Sequence, residues 1–253
     1  MAIFEVRSVH KSFGANEVLS GIDLDVAAGE FVCLLGPSGC GKSTLLEVLA
    51  GLQAPSSGEV RFRGEPLTGP REGIGVVFQD ASLYPWRTVL ANVELGLEIR
   101  GVGRGERRAA AREHLDLVGL SGYEDAYPHH LSGGMRQRAG IARALTAEPE
   151  VLLMDEPFGA VDHLTRIRLQ QDLLRIRART GGTVVFVTHD VGEAVFLADR
   201  VLLLAAGPGR VVRTFDVDLP RPRERGSLPL LQEESRIYRA LSESDGRAEP
   251  VGG

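Results

Sequence analysis

Nine consecutive residues, at positions 36 to 44, have the types and spacing of a loop that binds phosphate. Glycines let backbone N–H groups curl around phosphate oxygens, and the helix that follows adds partial positive charge. In the pattern G-x-x-x-x-G-K-[ST], Lys42 would reach the β- and γ-phosphates and Ser43 would ligate Mg²⁺. A nucleophilic turn of the form G-x-S-x-G is excluded, because Cys40 stands where it needs glycine. The predicted phosphate-loop residues are Gly36, Pro37, Ser38, Gly39, Cys40, Gly41, Lys42, Ser43 and Thr44.

Two adjacent carboxylates supply the second half of a site that hydrolyses a nucleotide. Asp155 and Glu156 follow the apolar run 151–154, which predicts a buried strand ending at the carboxyl edge of a sheet. There Asp155 can hold Mg²⁺, and Glu156 can accept a proton from attacking water or orient that water. Alone, two acids after a strand are more often a helix cap or a solvated pair. Together with the phosphate loop, the catalytic interpretation is favoured.

Hydrophobic patterns predict the elements that position these residues. The apolar run 31–35 before Gly36 is typical of a strand buried on both faces in a parallel sheet. Two further buried runs separated by an amphipathic helix indicate βαβ units. The charged stretch 104–112 favours a solvated helix face over nucleic-acid binding. The other predicted elements are half-exposed strands at 3–9 and 18–26, a helix at 42–52, strands at 58–63 and 75–79, helices within 88–147, strands at 151–154 and 184–187, and a helix at 164–180.

The whole chain has the composition of a soluble globular protein. Its 253 residues, 43% hydrophobic and 25% charged, suffice for one large domain or two small ones. A net charge of −5 argues against a large basic surface for nucleic acid. The longest apolar runs, such as 201–206, are too short to span a bilayer, and the first residues lack a secretory signal. We therefore expect a cytoplasmic protein, whose two cysteines indicate neither a disulfide framework nor a zinc site.

Lysine is scarce in this sequence. Of its 29 basic residues only Lys11 and Lys42 are lysines, and a compositional bias of the genome is the favoured explanation. One of the two nevertheless stands at the γ-phosphate position of the predicted loop. A slim ammonium suits a crowded phosphate nest better than a broad guanidinium does. We therefore expect replacement of Lys42 by arginine to impair turnover.

A third motif makes the sequence similar to a known family. Residues 131–138 read Leu-Ser-Gly-Gly-Met-Arg-Gln-Arg, with Ser132 as the predicted cap of a following helix. With the two motifs above, the sequence resembles the ATPase subunit of ATP-binding cassette (ABC) transporters along nearly its whole length. The resemblance implies an α/β fold, a P-loop NTPase ABC cassette with a RecA-like core, an antiparallel β subdomain and an inserted α-helical subdomain. It places a single ABC ATPase domain at 1–219, its core and β subdomain at about 1–87 and 148–219, its helical subdomain at about 88–147, and a short C-terminal extension with a frayed tail at 220–253.

The same resemblance gives roles to single residues. Gln79 would sense Mg²⁺ and the lytic water, and His189 would contact the γ-phosphate. Phe13 would stack on adenine, although a core aromatic is an equally good interpretation. Met135, Val161 and Phe13 replace the family's common glutamine, leucine and tyrosine, and His130 has no explanation. The implied catalytic residues are Lys42, Gln79, Glu156 and His189, the implied metal ligands are Ser43, Gln79 and Asp155, and the implied nucleotide contacts outside the phosphate loop are Phe13, Ser132, Gly133, Gly134 and Asp162.

The resemblance also implies partners. Two copies would pack head to tail, with each ATP and its Mg²⁺ between the phosphate loop of one copy and the signature motif of the other. Asp162, in the loop 159–162, would cross that interface. The subunit would lie peripherally on the cytoplasmic face of the membrane and power import through separate permease subunits. A solute-binding protein would be an indirect partner, and nucleic acid would not be one.

The segment 81–89 contains the only tryptophan, Trp86. Packing within the helical subdomain and a groove for the membrane subunit are equally good interpretations of it. The Pro85-Trp86 pair and the segments 207–210 and 219–223 resemble the importer branch that handles nitrate, sulfonates and taurine. The alternatives are a soluble cassette ATPase acting on nucleic acid or ribosomes and an exporter subunit. The lack of a coiled coil, zinc insertion, second cassette or fused membrane domain disfavours them.

Overall fold

The structure is a computed structural model that describes residues 2–159 and 161–244. These residues form two compact units, the first containing 2–71 and 184–244 and the second 72–159 and 161–183. Among the described residues, no helix combines the length and the apolar character needed to cross a membrane. The elements of the first unit are β1 (Ala2–Phe13), β2 (Asn16–Ala27), β3 (Phe31–Leu35), α1 (Lys42–Leu49), β4 (Ser57–Phe62) and β5 (Glu65–Pro66), followed later in the chain by β8 (Thr183–Thr188), α7 (Val191–Leu197), β9 (Arg200–Ala205), β10 (Arg210–Asp216) and α8 (Leu228–Ser244). Those of the second unit are β6 (Ile74–Val77), α2 (Val89–Val93), α3 (Leu95–Ile99), α4 (Arg104–Leu117), a 3₁₀ turn (Pro128–His130), α5 (Gly133–Thr146), β7 (Val151–Asp155) and α6 (His163–Thr180).

The first unit contains an antiparallel sheet with the strand order β2-β1-β4-β5. Alternate residues along β2 are buried and exposed, as expected when one face of a sheet packs on a core. On the buried face, the rings of Phe4 and Phe62 pair with centroids 5.2 Å apart. The predicted half-exposed strands at 3–9 and 18–26 are confirmed, and β1 runs on to Phe13.

Parallel strands in the first unit bring two predicted site segments to one edge. The strands of this unit's second sheet lie in the order β10-β9-β3-β8. All five residues of β3 are buried, as predicted. Leu35, the last residue of β3, pairs with Thr188 at the end of β8. Gly36 and His189 therefore both begin the connections that leave the carboxyl edge of this sheet.

The second unit combines a parallel strand pair with helices. Strands β6 and β7 pair from Ile74 opposite Val151 to Val77 opposite Met154. The residues that follow, including Gln79 and Asp155, therefore leave the same ends of two adjacent strands. Helices α2 to α5 fill most of the span 88–147, where helices were predicted, and α6 confirms the helix predicted at 164–180.

The C-terminal extension contains a helix that was not predicted from the sequence. The Pro-, Arg- and Glu-rich composition after Leu219 indicated only an extension with a frayed tail, and α8 occupies Leu228–Ser244 of that extension. Leu230, Ile237 and Ala240 are buried and lie on one side of this helix. Their spacing, with Pro229 in the first turn, is a helix signal that the composition obscured. The remainder of the predicted tail, 245–253, lies outside the described residues.

Candidate nucleotide-binding site

The phosphate loop connects β3 to α1 and depends on glycine. A Cβ at Gly36 would lie 2.4 Å from the carbonyl oxygen of Leu204 and 2.9 Å from Sγ of Cys40. Gly41 has φ 89° and caps the start of α1, where a Cβ would lie 2.7 Å from Leu19. Any larger residue at either position would force the backbone to move, so this loop shape requires both glycines.

The start of α1 suits an anion. Gly41 offers no side-chain cap, and no acidic residue lies in the first turn. The first N–H groups of a helix have no intrahelical acceptors and carry the positive end of the helix dipole. Ser38, Gly39 and Ser43 lie exposed around this helix start. A phosphate group bound here would meet backbone donors and no carboxylate from the first turn of α1.

Lys42 lies inside the phosphate loop. Its side chain is 5% exposed, and Nζ donates to the carbonyls of Gly36 at 2.7 Å and Pro37 at 2.8 Å. The Sγ atom of Cys40 lies 3.8 Å from the same ammonium. Burial raises the pKa of the Cys40 thiol, which the nearby Lys42 partly offsets. The loop therefore encloses one compact cation beside a neutral thiol.

Gly209, in the β9–β10 connection, packs closely against the phosphate loop, a contact that was not predicted from the sequence. Its N–H donates to the Val18 carbonyl at 2.9 Å, and its carbonyl accepts from the Ser20 N–H at 2.9 Å. A Cβ at Gly209 would lie 2.2 Å from the carbonyl oxygen of Cys40. In the sequence, segment 207–210 indicated only a resemblance to one importer branch. The glycine at position 209 was the signal that could have indicated this close contact.

His189 and Phe13 complete the predicted residues of the first unit, and both are exposed. His189 follows β8 directly. The Phe13 ring is 48% exposed, so the core interpretation of this aromatic is wrong. Lys11 Nζ lies 4.9 Å from its centroid and donates to the Ala54 carbonyl at 2.7 Å. A cation held against a solvent-facing ring leaves Phe13 able to stack on a planar ligand.

In the second unit, the predicted carboxylates leave the end of β7. Asp155 is the last residue of the strand and only 8% exposed, whereas Glu156 is half-buried. The backbone of Glu156 has φ 42°, an unfavourable value for a residue with a side chain. Its carbonyl accepts from the Gly159 N–H at 3.1 Å. Such local strain often occurs at functional positions, where surrounding structure holds it in place.

Asp162 begins α6 as its N-cap. The carboxylate accepts from the Thr165 N–H at 3.0 Å, and hydrogen bonding to the side chain and then the backbone of Thr165 holds the pKa of Asp162 below its ordinary value. The side chain is also exposed. Ala160, in the predicted loop 159–162, lies outside the described residues.

Helix α5 holds the segment that contains Gln79. The Nε2 atom of buried Gln137 donates to the Phe78 carbonyl at 2.9 Å. Arg143 donates to the carbonyls of Ala81 at 2.9 Å and Ser82 at 2.8 Å. Gln79 itself is exposed between these anchor points. Neither anchoring side chain was predicted from the sequence, because nothing in the spacing of Gln137 and Arg143 shows which backbone they contact.

The signature residues begin the same helix. Ser132 Oγ accepts from the Met135 N–H at 3.2 Å, which confirms the predicted cap. Ser132 and Gly133 are exposed, and Gly134 is half-buried. A surface cavity of about 300 Å³ is lined by Gln79, Asp80, Ala81, Gly133, Arg136 and Gln137. The second unit therefore brings Gln79 and the signature helix to one cavity.

Two exposed aromatic residues follow Gln79. Trp86 is 71% exposed, so its packing interpretation is wrong, and Tyr84 is 41% exposed. Their ring centroids lie 5.2 Å apart. Fully buried Asn92 holds the turn by accepting from the Tyr84 N–H at 2.7 Å and donating to the carbonyls of Tyr84, Arg87 and Thr88. A rigid turn thus presents an aromatic surface to solvent.

His130 has a local structural explanation. It ends the 3₁₀ turn before the signature, and its Nδ1 accepts from the Tyr127 N–H at 3.4 Å. The His129 and His130 rings lie edge to face, with centroids 4.1 Å apart. His130 therefore closes the 3₁₀ turn that precedes the signature.

A glycine-dependent loop between a buried strand and an uncapped helix, with lysine inside it, defines a P-loop nucleotide-binding protein. Residues 19–159 match the ABC transporter family. The chain belongs to that family and is one of its ATP-hydrolysing cassettes, with the α/β core, antiparallel sheet and helical insertion of that fold.

Three known proteins illustrate this relationship. The aliphatic sulfonates import ATP-binding protein SsuB of Rhodopseudomonas palustris is 50% identical over 94% of this chain and 83% of its own length. The bicarbonate transport ATP-binding protein CmpC of Synechococcus elongatus is 48% identical over 89% of this chain and 35% of its own. The dimeric post-hydrolysis structure of the cassette MJ0796 bound to ADP and Pi matches with a TM-score of 0.78 and 34% identity, covering 86% of this chain and all of that one.

Proposed function

We propose that this chain hydrolyses ATP to drive the import of a small solute through a separate membrane permease. The phosphate loop carries the proposal, because its glycines, uncapped helix start and enclosed Lys42 form a preorganised polyphosphate site. Import is supported by the two transport relatives, which are named for sulfonates and bicarbonate. Nitrate, sulfonates, taurine and related small solutes are the candidates.

Several groups of this chain are assigned to phosphoryl transfer. Lys42, the loop amides and His189 stabilise the charge on the phosphates, and Phe13 stacks on the adenine. Glu156 orients the attacking water and accepts its proton. The γ-phosphoryl group passes to water, and ADP leaves. Such chemistry depends mainly on positioning and charge neutralisation.

The donor set suits Mg²⁺. The Ser43 hydroxyl, the Gln79 amide oxygen and the Asp155 carboxylate are hard oxygen donors of the kind that Mg²⁺ prefers. Asp155 is nearly buried at the end of β7, so its position is well defined. We assign these three residues to the ion, which when bound would neutralise charge on the phosphates.

A second copy of the chain is the proposed partner for the signature. The capped start of α5 exposes Ser132 and Gly133, and such helix starts favour anions. We assign Ser132, Gly133, Gly134 and Asp162 to ATP bound by the other copy. The dimeric MJ0796 cassettes support this arrangement.

The aromatic pair of Tyr84 and Trp86 is the proposed contact with the permease. An exposed tryptophan on a rigid turn is typical of an interface anchor. The protein would thereby bind peripherally at the cytoplasmic face of the membrane. A solute-binding protein would select the solute and need not touch this chain.

The catalytic assignment is tested with Glu156→Gln. The variant should bind ATP as tightly as the wild type, lose turnover by roughly 10²- to 10⁴-fold, and accumulate an ATP-bound dimer on gel filtration. Glu106→Gln, at an exposed position on α4, is the matched control and should keep wild-type turnover. Substantial turnover in Glu156→Gln would overturn the catalytic role.

The transport assignment is tested with the permease. Trp86→Ala should reduce co-purification with the permease but leave the ATPase activity of the isolated chain unchanged. Tyr123→Ala, another exposed aromatic of the second unit at 45% exposure, should leave co-purification intact. In proteoliposomes that contain the solute-binding protein, sulfonate, nitrate or bicarbonate should stimulate ATPase activity. Stimulation by nucleic acid alone would contradict the importer function.

A further inference from the structure

Three arginines stand at alternate positions after β10, at 221, 223 and 225, and contact helix α7. Arg223 makes the densest set of contacts. Its Nη1 donates to three backbone carbonyls, those of Val195 at 2.7 Å, Ala198 at 2.6 Å and Phe196 at 3.3 Å. Its Nη2 donates to the Val217 carbonyl at 2.9 Å. The last carbonyls of a helix lack intrahelical donors, and a guanidinium fork can serve several of them at once.

The two flanking arginines hold the same helix. Arg221 donates to the Leu197 carbonyl and, at 2.8 Å, to the Asp199 carboxylate. The Arg225 guanidinium lies 3.8 Å from the centroid of the Phe196 ring, in cation–π geometry. Glu193, Asp190 and Glu234 are the carboxylates that act on Arg225, and its burial lowers its pKa. The three arginines therefore hold the C-terminal end of α7 through hydrogen bonds to backbone carbonyls, a cation–π contact with Phe196 and attraction to nearby carboxylates.

The opposite end of α7 holds the backbone around His189. Asp190 caps the helix by accepting from the Glu193 N–H at 2.9 Å. The Glu193 carboxylate accepts from the Thr188 hydroxyl at 2.8 Å, and that hydroxyl accepts from the Asp190 N–H at 3.0 Å. His189 thus lies between two residues that are bonded to the first turn of α7.

We propose that Arg223, assisted by Arg221 and Arg225, is a positioning residue for His189 and acts through α7. The helix has only seven residues, so it needs external contacts to hold its place. Six of those seven residues are buried, which makes the helix a rigid link between its two ends. The inference rests on the proposed function, in which His189 contacts the γ-phosphate.

The expected consequence is a loss of turnover without a loss of ATP binding. The phosphate loop belongs to other elements and keeps its own glycine and lysine contacts when Arg223 changes. A small displacement of His189 would act on the chemical step, where misplacement of about 1 Å can cost about 10²-fold. Removal of Arg223 should therefore lower kcat and leave the ATP affinity and KM near wild type.

The experiment is a double-mutant cycle on the full chain. Arg223→Ala, His189→Ala and the double variant are compared for kcat, KM and ATP affinity. Arg223→Ala should lower kcat by roughly tenfold in the wild type and by less than twofold in the His189→Ala background. Arg223→Lys should restore part of the activity, because an ammonium can reach some of the carbonyls. Arg239→Ala, at an exposed position on α8, should behave as wild type.

The outcomes distinguish the positioning role of Arg223 from the proposed role of His189. Equal losses from Arg223→Ala in both backgrounds, or a wild-type kcat, would overturn the positioning role. Wild-type turnover in His189→Ala would instead remove His189 from the proposed function. If Arg223→Ala does not fold, Arg223→Lys is used instead. Its kcat is then measured together with amide hydrogen exchange across residues 189–197. Faster exchange in α7 together with lower kcat supports the proposal, and lower kcat with unchanged exchange contradicts it.

Discussion

The two units present their candidate ligand groups in different ways. In the first unit the phosphate loop is shaped by its own backbone, with glycines that leave no space for a Cβ and a lysine enclosed by carbonyls. In the second unit the exposed segment around Gln79 is held from outside, by side chains of α5. One region is therefore preformed by sterics, whereas the other depends on a few removable hydrogen bonds.

This difference shows which changes each region can tolerate. A loop whose shape is fixed by close backbone contacts is disrupted when an atom is added, because displacement of the neighbouring backbone costs free energy. A hydrogen-bonded segment loosens when a donor is removed, but its backbone remains sterically free to return. Binding of ATP should therefore be sensitive to glycines of the first unit, and turnover to the anchoring side chains of the second.

The largest expected effect comes from Gly36→Ala. Its Cβ would lie 2.4 Å from a backbone oxygen, so the loop must open and ATP affinity should fall roughly 100-fold or more. The matched change in the second unit is Gly105→Ala on α4, whose Cβ would meet no atom of the described residues within 4 Å. Titration calorimetry on the isolated chains should show wild-type affinity for Gly105→Ala. Equal losses in both variants would break the comparison.

Lys42→Arg should have the next largest effect. A guanidinium is too broad for the space between the Gly36 and Pro37 carbonyls, so turnover should fall by roughly 10- to 100-fold. Lys11→Arg is the control, because Lys11 Nζ donates to the Ala54 carbonyl and lies over the Phe13 ring, and arginine can make both contacts. Steady-state ATPase assays measure both. Wild-type activity in Lys42→Arg would show that the loop is less enclosed than the structure indicates.

Arg143→Met tests the hydrogen-bonded region. Loss of the bonds to Ala81 and Ser82 should lower the free energy of unfolding by about 1–3 kcal/mol and turnover by a few fold. Arg175→Met, which removes an ion pair at a residue with 72% side-chain exposure, should leave both quantities nearly unchanged. Denaturant unfolding and limited proteolysis across 79–88 measure the effect. An unchanged proteolysis rate would mean that Arg143 does not anchor this segment.

The smallest effect is a pH dependence at Asp162. Since the Thr165 hydrogen bond lowers its folded-state pKa, the carboxylate cap stabilises the fold above the unfolded pKa of about 3.9 and is lost as pH falls through the folded value. Asp162→Ala should therefore lower Tm at neutral pH, and its difference from the wild type should shrink in acid. Asp162→Asn keeps an accepting oxygen without titrating, so its Tm should not show this pH dependence.

Some elements were predictable because their signals are local. The apolar run of β3, the loop after it and the cap at Ser132 each depend on residues within one short stretch, and all three lie where the sequence indicated. Helix α8 was missed because three buried positions are scattered among charged residues in a proline- and arginine-rich segment. Its hydrophobic periodicity is present but too sparse to outweigh composition.

The sequence by itself determined the chemistry of this protein: a phosphate loop, a strand ending in two carboxylates and a signature helix, each written in contiguous residues. Only the tertiary structure decided what holds these parts. Gly209 packs against the phosphate loop, Arg143 anchors the segment of Gln79, and Arg223 holds the end of α7. These contacts join residues far apart in the chain, so they depend on strand register and side-chain direction, which short-range patterns do not contain.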